Sequence, residues 1–128
     1  MSSILVVDDD PDNRLLLRAI LEMQGHSVVE AADGEEALNM IRPSPPPDIV
    51  ITDLTMPVLN GVELIKRLQA EPRTATIPVV VVSGDYDVAR ALRMSGWVEE
   101  VVRKPFTVSA VAECIRAVTT TPMRSVAV

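Results

Sequence analysis

Short apolar runs alternate along this chain with longer segments in which apolar positions return every three or four residues, the pattern of strands interleaved with helices. The runs are Ile4 to Val7, Val28 to Ala31, Ile49 to Thr52, Val79 to Val82 and Val101 to Arg103, rich in the β-branched residues that favour extended backbone. A first helix is expected from about Pro11 to Gln24: Asp10 can cap it, Pro11 suits its first position, Leu16, Ile20 and Met23 share a face, and Gly25 ends it. A second, Gly34 to Ile41, turns Ala37, Leu38 and Ile41 inward, and Pro43-Ser44-Pro45-Pro46-Pro47 then forbids helix and reads as a surface connection. The third follows Asn60-Gly61 with Val62, Leu64, Ile65 and Leu68 as its apolar positions and breaks before Pro72. The fourth, Tyr86 to Ser95, carries Val88, Ala91, Leu92 and Met94 and stops at Gly96. The fifth, Val108 to Val118, steps through Val108, Val111, Ile115 and Val118 behind an N-cap at Thr107. Five strands alternating with five helices predict βα units and a parallel sheet, an α/β fold.

At 128 residues the chain has the length of one domain, here expected over residues 1–118, with 119–128 a flexible tail because Pro122 interrupts it and no period survives. Apolar residues make up 48%, yet Trp97, Tyr86 and Phe106 are the only aromatics, so the core has to be aliphatic, as strands covered on both faces require. The 18 acids outnumber the 12 bases, and the bases are scattered with no stripe to follow a phosphate backbone, which argues against nucleic-acid binding. No apolar run approaches the length of a membrane span, and Met-Ser-Ser-Ile lacks the basic start of a signal peptide, so a cytoplasmic location is expected. Cys114 stands alone and reads as a small core residue, and His26, after Gly25, as structural.

The polar residues at the ends of the apolar runs change the picture. Asp8-Asp9, Asp53, Ser83 and Lys104 each follow a predicted strand, and in open parallel sheets the ligand crevice lies outside the carboxyl ends of the strands. Three carboxylates brought together repel one another, and a hard divalent cation resolves the conflict. Mg²⁺ favours one or two carboxylates plus waters and a phosphate, which suits Asp9 and Asp53 as ligands with Asp8 behind them. Asp53 can act as a carboxylate nucleophile toward phosphorus, Lys104 as positive charge and Ser83 as a hydroxyl donor. A cis Lys104-Pro105 bond would aim the ammonium inward. An EF-hand reading of Asp8, Asp10 and Asp12 fails, because the glycine position is Asn13 and the twelfth is Ala19.

Four motifs in order, Val6-Val7-Asp8-Asp9, Asp53-Leu54-Thr55-Met56-Pro57 with Asn60-Gly61, Pro78 to Ser83, and Lys104-Pro105-Phe106, resemble the receiver domains of two-component response regulators over roughly Ile4 to Val118. The resemblance implies a flavodoxin-like doubly wound five-stranded parallel sheet of order 2-1-3-4-5. It implies Asp53 as phosphoacceptor, Asp8 and Asp9 as the acidic pair, the Thr55 backbone carbonyl as a further Mg²⁺ ligand, Ser83 as switch hydroxyl and Lys104 as phosphate-binding lysine. Implied partners are a sensor histidine kinase or histidine phosphotransfer protein and a downstream protein. The protein would then be a phosphorylation switch of the stand-alone, single-domain type rather than an enzyme, assisting its own phosphorylation and dephosphorylation, and a monomer or weak dimer. In the family the fourth helix, fifth strand and fifth helix commonly read out the state, where Tyr86 and Arg90 fall.

One position departs from the family: three residues before the lysine, where Tyr or Phe is usual, this chain has Val101. Phosphorylation is expected to survive this change while coupling through an aromatic at that position does not, leaving Trp97 or backbone shifts to report the state. Two other classes fit the residues less well. A small Mg²⁺-dependent aspartyl-phosphate phosphatase typically carries an acid two residues after its nucleophile, where this chain has Thr55, and a cap domain that has no room here. A nucleotide or flavin binder needs a phosphate-cradling first loop, and Asp8-Asp9-Asp10-Pro11 would repel a phosphate.

Overall fold

The computed structural model describes residues 2–43 and 45–120. Its strands are β1 (Ser3–Val7), β2 (Ser27–Ala31), β3 (Ile49–Thr52), β4 (Val79–Ser83) and β5 (Glu100–Arg103), and its helices α1 (Pro11–Met23), α2 (Gly34–Ile41), α3 (Gly61–Ala70), α4 (Tyr86–Met94) and α5 (Val108–Thr120). The strands pair in the order β2-β1-β3-β4-β5, all parallel, as the resemblance implied. Successive strand residues point to opposite faces, so each strand feeds two cores. Ile4 and Val6 of β1 join Leu17, Leu21, Val111 and Ile115 of α1 and α5 on one face. Leu5 and Val7 join Leu38, Leu64, Ile65 and Ala89 of α2, α3 and α4 on the other. None of the described helices is long and apolar enough to cross a membrane.

Each helix start is capped by a side chain, at α1 and α5 by the Asp10 and Thr107 expected there. Asp10, Asp33, Asn60 and Asp85 each accept an N–H of the first turn of α1, α2, α3 and α4, and Thr107 Oγ1 accepts from Ala110 N–H at 3.0 Å at the start of α5. Gly25 and Gly96 take positive φ after α1 and α4, a backbone conformation that glycine enters without penalty.

The faces of three helices differ in part from expectation. In α1 the buried residues are Leu17, Ile20 and Leu21, while Leu16 and Met23 are exposed. The run Leu15-Leu16-Leu17 offers more than one apolar face; the one that packs on the sheet is Leu17, Ile20 and Leu21, and beside it Arg14 and Arg18 both pair with Glu30 of β2. In α4 only Ala89 is buried, Leu92 is half-buried, and Val88 and Met94 face solvent. In α5 Val111 and Ile115 are buried as expected, but Val108 is exposed. The helix also continues to Thr120, so Thr119 and Thr120 are not tail; residues 121–128 of the expected tail, and Ser44 of the proline run, lie outside the described residues. Cys114 is half-buried beside the second core, and burial pushes its thiol up to about 12. His26 Nδ1 accepts the Ser2 N–H at 3.1 Å.

Candidate functional site

The sheet order makes β1 and β3 neighbours, and their ends are tied together beyond the last paired residues. Asp8 N–H donates to Ala31 O at 3.1 Å and Asp53 N–H to Val7 O at 3.0 Å, so the two acids leave the sheet side by side. On the other flank Lys104 N–H donates to Ser83 O at 2.9 Å, continuing the β4–β5 ladder past Arg103. The Lys104-Pro105 bond is cis, as expected. The Lys104 ammonium lies 2.8 Å from Asp53 Oδ2 and 3.1 Å from Asp8 Oδ2.

The remaining carboxylate oxygens are held by backbone. Asp8 Oδ1 accepts the Asp10 N–H at 2.9 Å, and Asp53 Oδ1 accepts from Leu54 N–H at 2.7 Å and from Thr55 N–H at 3.4 Å. Asp9, exposed at the rim, completes a cluster in which one carboxylate oxygen from each of Asp8, Asp9 and Asp53 lies within 4.8 Å of the others. Asp8 is only 1% exposed and Asp53 8%. Burial raises the Asp8 carboxyl above its ordinary range, and the Asp53 charge adds to this against the pull of the Asp10 N–H and Lys104. Burial alone would lower Lys104, but its hydrogen bonds to Asp53 and Asp8 prevail and hold it above its usual value.

One ammonium facing three carboxylates leaves the pocket with excess negative charge. An all-oxygen donor set with one open, exposed member is what a hard divalent cation that keeps part of its water shell prefers, so these residues fit Mg²⁺. Ser83 is buried at the end of β4, and its Oγ accepts the Asp85 N–H at 3.0 Å, so in this state its hydroxyl serves the start of α4. Thr55 is exposed and turns its N–H toward Asp53.

Other residues shape the site through contacts that the pattern of the chain did not show. Gly61 N–H donates to Leu54 O at 2.9 Å, and a Cβ at Gly61 would fall 2.0 Å from the Asp53 carbonyl oxygen, so only glycine lets α3 start against this backbone. The motif flagged the glycine, but the clash that requires it is a tertiary contact. Val58 has a φ of 68°, and Leu59 N–H donates to Pro57 O at 2.7 Å, a tight turn that is strained for a β-branched residue. Leu59 O in turn accepts the Gly34 N–H at 3.0 Å, which ties α2 to the same loop. Arg14 reaches the Asp8 carbonyl oxygen at 2.6 Å, a link that charge spacing along α1 does not disclose.

The model of the response regulator receiver domain family matches residues 4–116, and the chain belongs to that family. Response regulator GtcR of Aneurinibacillus migulanus is 38% identical over 105 residues, covering 81% of this chain and 42% of GtcR, so the chain spans less than half of that relative's length. The chemotaxis response regulator CheY4 of Vibrio cholerae superposes with a TM-score of 0.83 at 26% identity, over 92% of this chain and 98% of that one. Response regulator protein TrrA of Thermotoga maritima, solved in complex with Mg²⁺–BeF, gives a TM-score of 0.79 at 30% identity over 91% of this chain and 98% of its own. Flavodoxin-like architecture, strand order and family therefore agree with the expectation from the four motifs.

Proposed function

We propose that this receiver domain is a phosphorylation-dependent switch in which Asp53 takes a phosphoryl group from the phosphohistidine of a sensor kinase or phosphotransfer protein. An oxygen of Asp53 forms the new bond to phosphorus, the phosphorus–nitrogen bond of the donor breaks, and the electron pair leaves with the imidazole. The observation that carries the reading is the Asp8–Asp9–Asp53 cluster with Lys104 2.8 Å from Asp53. Mg²⁺ would be held by Asp8, Asp9, Asp53 and the Thr55 carbonyl, and when bound it supplies positive charge that offsets the charge on phosphoryl oxygens. Lys104 orients and neutralises the Asp53 carboxylate from the opposite side. The two N–H groups on Asp53 Oδ1 fix the carboxylate plane, so little reorganisation precedes attack. In this reading the domain assists both its own phosphorylation and its dephosphorylation.

Ser83 is the group on which the altered state turns. Its hydroxyl leaves the Asp85 N–H to donate to the phosphoryl group, and that exchange loosens the first turn of α4. Output then passes through protein contacts at the face of α4, β5 and α5, in the cytosol, to a downstream protein. Intact mass after incubation with acetyl phosphate and Mg²⁺ tests the assignment: the native chain gains one phosphoryl group and Asp53→Asn gains none. Equal modification of both would overturn it.

A further inference from the structure

We infer that Arg14 is a positioning residue for the acid pair, a forked clamp that fixes the peptide joining Asp8 to Asp9 and thereby the direction in which both carboxylates face a divalent cation. The inference rests on the Mg²⁺ reading of the pocket and assigns one further residue to it.

Arg14 lies in α1 with only 19% of its side chain exposed, well covered for an arginine. Its Nη1 donates to the Asp8 carbonyl oxygen at 2.6 Å, and its Nε to Glu30 Oε1 at 3.1 Å. Glu30 sits in β2, and its second oxygen takes Arg18 Nη1, whose neighbour Nη2 donates to Val28 O at 2.9 Å. The Asp8 N–H is already bound to Ala31 O of β2. With Oδ1 on Asp10 N–H and Oδ2 on Lys104, all four polar atoms of Asp8 are engaged.

The carbonyl that Arg14 grips belongs to the peptide plane between the two acids. Rotating that plane would swing the exposed Asp9 away from Asp8 and Asp53, whose oxygens now lie within 4.8 Å of one another. A planar guanidinium can make both bonds at a fixed angle, whereas an ammonium is a single point charge that cannot reproduce the fork. Glu30 and Glu22 together balance the charges of Arg14 and Arg18, so what Arg14 delivers to the pocket is geometry. Arg18 shares Glu30 but does not touch Asp8, which makes it the internal control.

The experiment is Mg²⁺ titration by calorimetry and amide chemical shift on the full chain, with thermal unfolding in parallel, for native protein, Arg14→Ala, Arg14→Lys and Arg18→Ala. Groups that orient metal ligands from behind typically change metal affinity by about 10-fold or more when removed. Arg14→Ala and Arg14→Lys are both expected to weaken Mg²⁺ binding by about that factor. Arg18→Ala is expected to lower the unfolding midpoint and leave Mg²⁺ affinity unchanged. Native affinity in either Arg14 variant, or an equal loss in Arg18→Ala, overturns the clamp while leaving the Mg²⁺ reading standing. If the native chain itself binds no Mg²⁺, both fall. Should Arg14→Ala fail to fold, Arg14→Lys, which keeps the charge and much of the stem, decides.

Discussion

Two helices on the same face of the sheet, α3 and α4, flank the site and are held in opposite ways. α3 buries Leu64, Ile65 and Leu68 and presses Gly61 onto the Asp53 backbone, whereas α4 buries only Ala89. A fully buried Leu or Ile contributes about 1.5–3 kcal/mol, so α3 is anchored by several kcal/mol more than α4. What holds α4 is mostly polar and near the surface: the Asp85 cap, the Ser83–Asp85 hydrogen bond, Arg103 5.2 Å over the Tyr86 ring, and the Arg93–Glu100 pair. The acid end of the pocket is therefore built on a rigid wall, and the hydroxyl end on a wall that can give. Segments with few buried apolar contacts are the ones that open or shift at low cost.

The contrast can be broken most directly in the apolar side chains of the two helices. Leu64→Ala and Ile65→Ala should each lower unfolding free energy by about 3 kcal/mol in urea denaturation, while Met94→Ala stays within about 0.5 kcal/mol of native. A Met94→Ala loss comparable to Ile65→Ala would show α4 to be anchored after all.

The glycines beside the site provide a second pair. Gly61→Ala must push α3 off the Asp53 carbonyl and should cost about 2 kcal/mol, with slower phosphorylation. Gly84→Ala, where a Cβ would meet nothing within 4 Å, should remain within about 0.5 kcal/mol of native in the same melt.

Charge in the pocket sharpens the comparison at a smaller scale. The stabilisation Lys104 draws from Asp53 and Asp8 is fully present below its ordinary value of 10.5 and is lost as pH rises through the higher folded value. Asp8 has the same pH direction for a different reason: its carboxyl is raised above 3.8 chiefly by burial, so ionising it as pH rises destabilises the fold and protonation on acidification relieves that penalty. Asp8→Asn is accordingly expected to melt higher than native in the absence of Mg²⁺, by about 1 kcal/mol, while losing Mg²⁺ affinity. A lower melting point would contradict the assigned sign.

The smallest effect is spectroscopic. Val101 is half-buried and packs against the core where the family usually has an aromatic, so the fluorescent reporter beside α4 is Trp97, whose backbone N–H donates to Leu92 O at 3.0 Å. Adding an acyl-phosphate mimic with Mg²⁺ should change Trp97 fluorescence and amide shifts in α4 and leave most of α3 unmoved. Unchanged signals in α4 and α5 would remove the switching role.

The chain alone determined the number and order of elements, because strand and helix periods differ and turn or capping residues separate them, with Asp10 and Thr107 readable as caps in advance. It also picked out Asp8, Asp9, Asp53, Ser83 and Lys104, since a charged or polar residue directly after a buried strand has few places to go in a parallel sheet. Apolar spacing put Leu16, Ile20 and Met23 on the inner face of α1, and of these only Ile20 is buried; packing against β1 and α5 selects Leu17, Ile20 and Leu21 instead. Apolar spacing in α4 pointed inward at residues that stand in solvent, because spacing records a possible face and only packing against β4 and β5 selects one. The need for glycine at position 61, the grip of Arg14 on the Asp8 carbonyl and the meeting of Lys104 with two acids are contacts between residues distant in the chain. Local pattern carries no record of such distances; they exist only once the sheet has set β1, β3 and β5 in order.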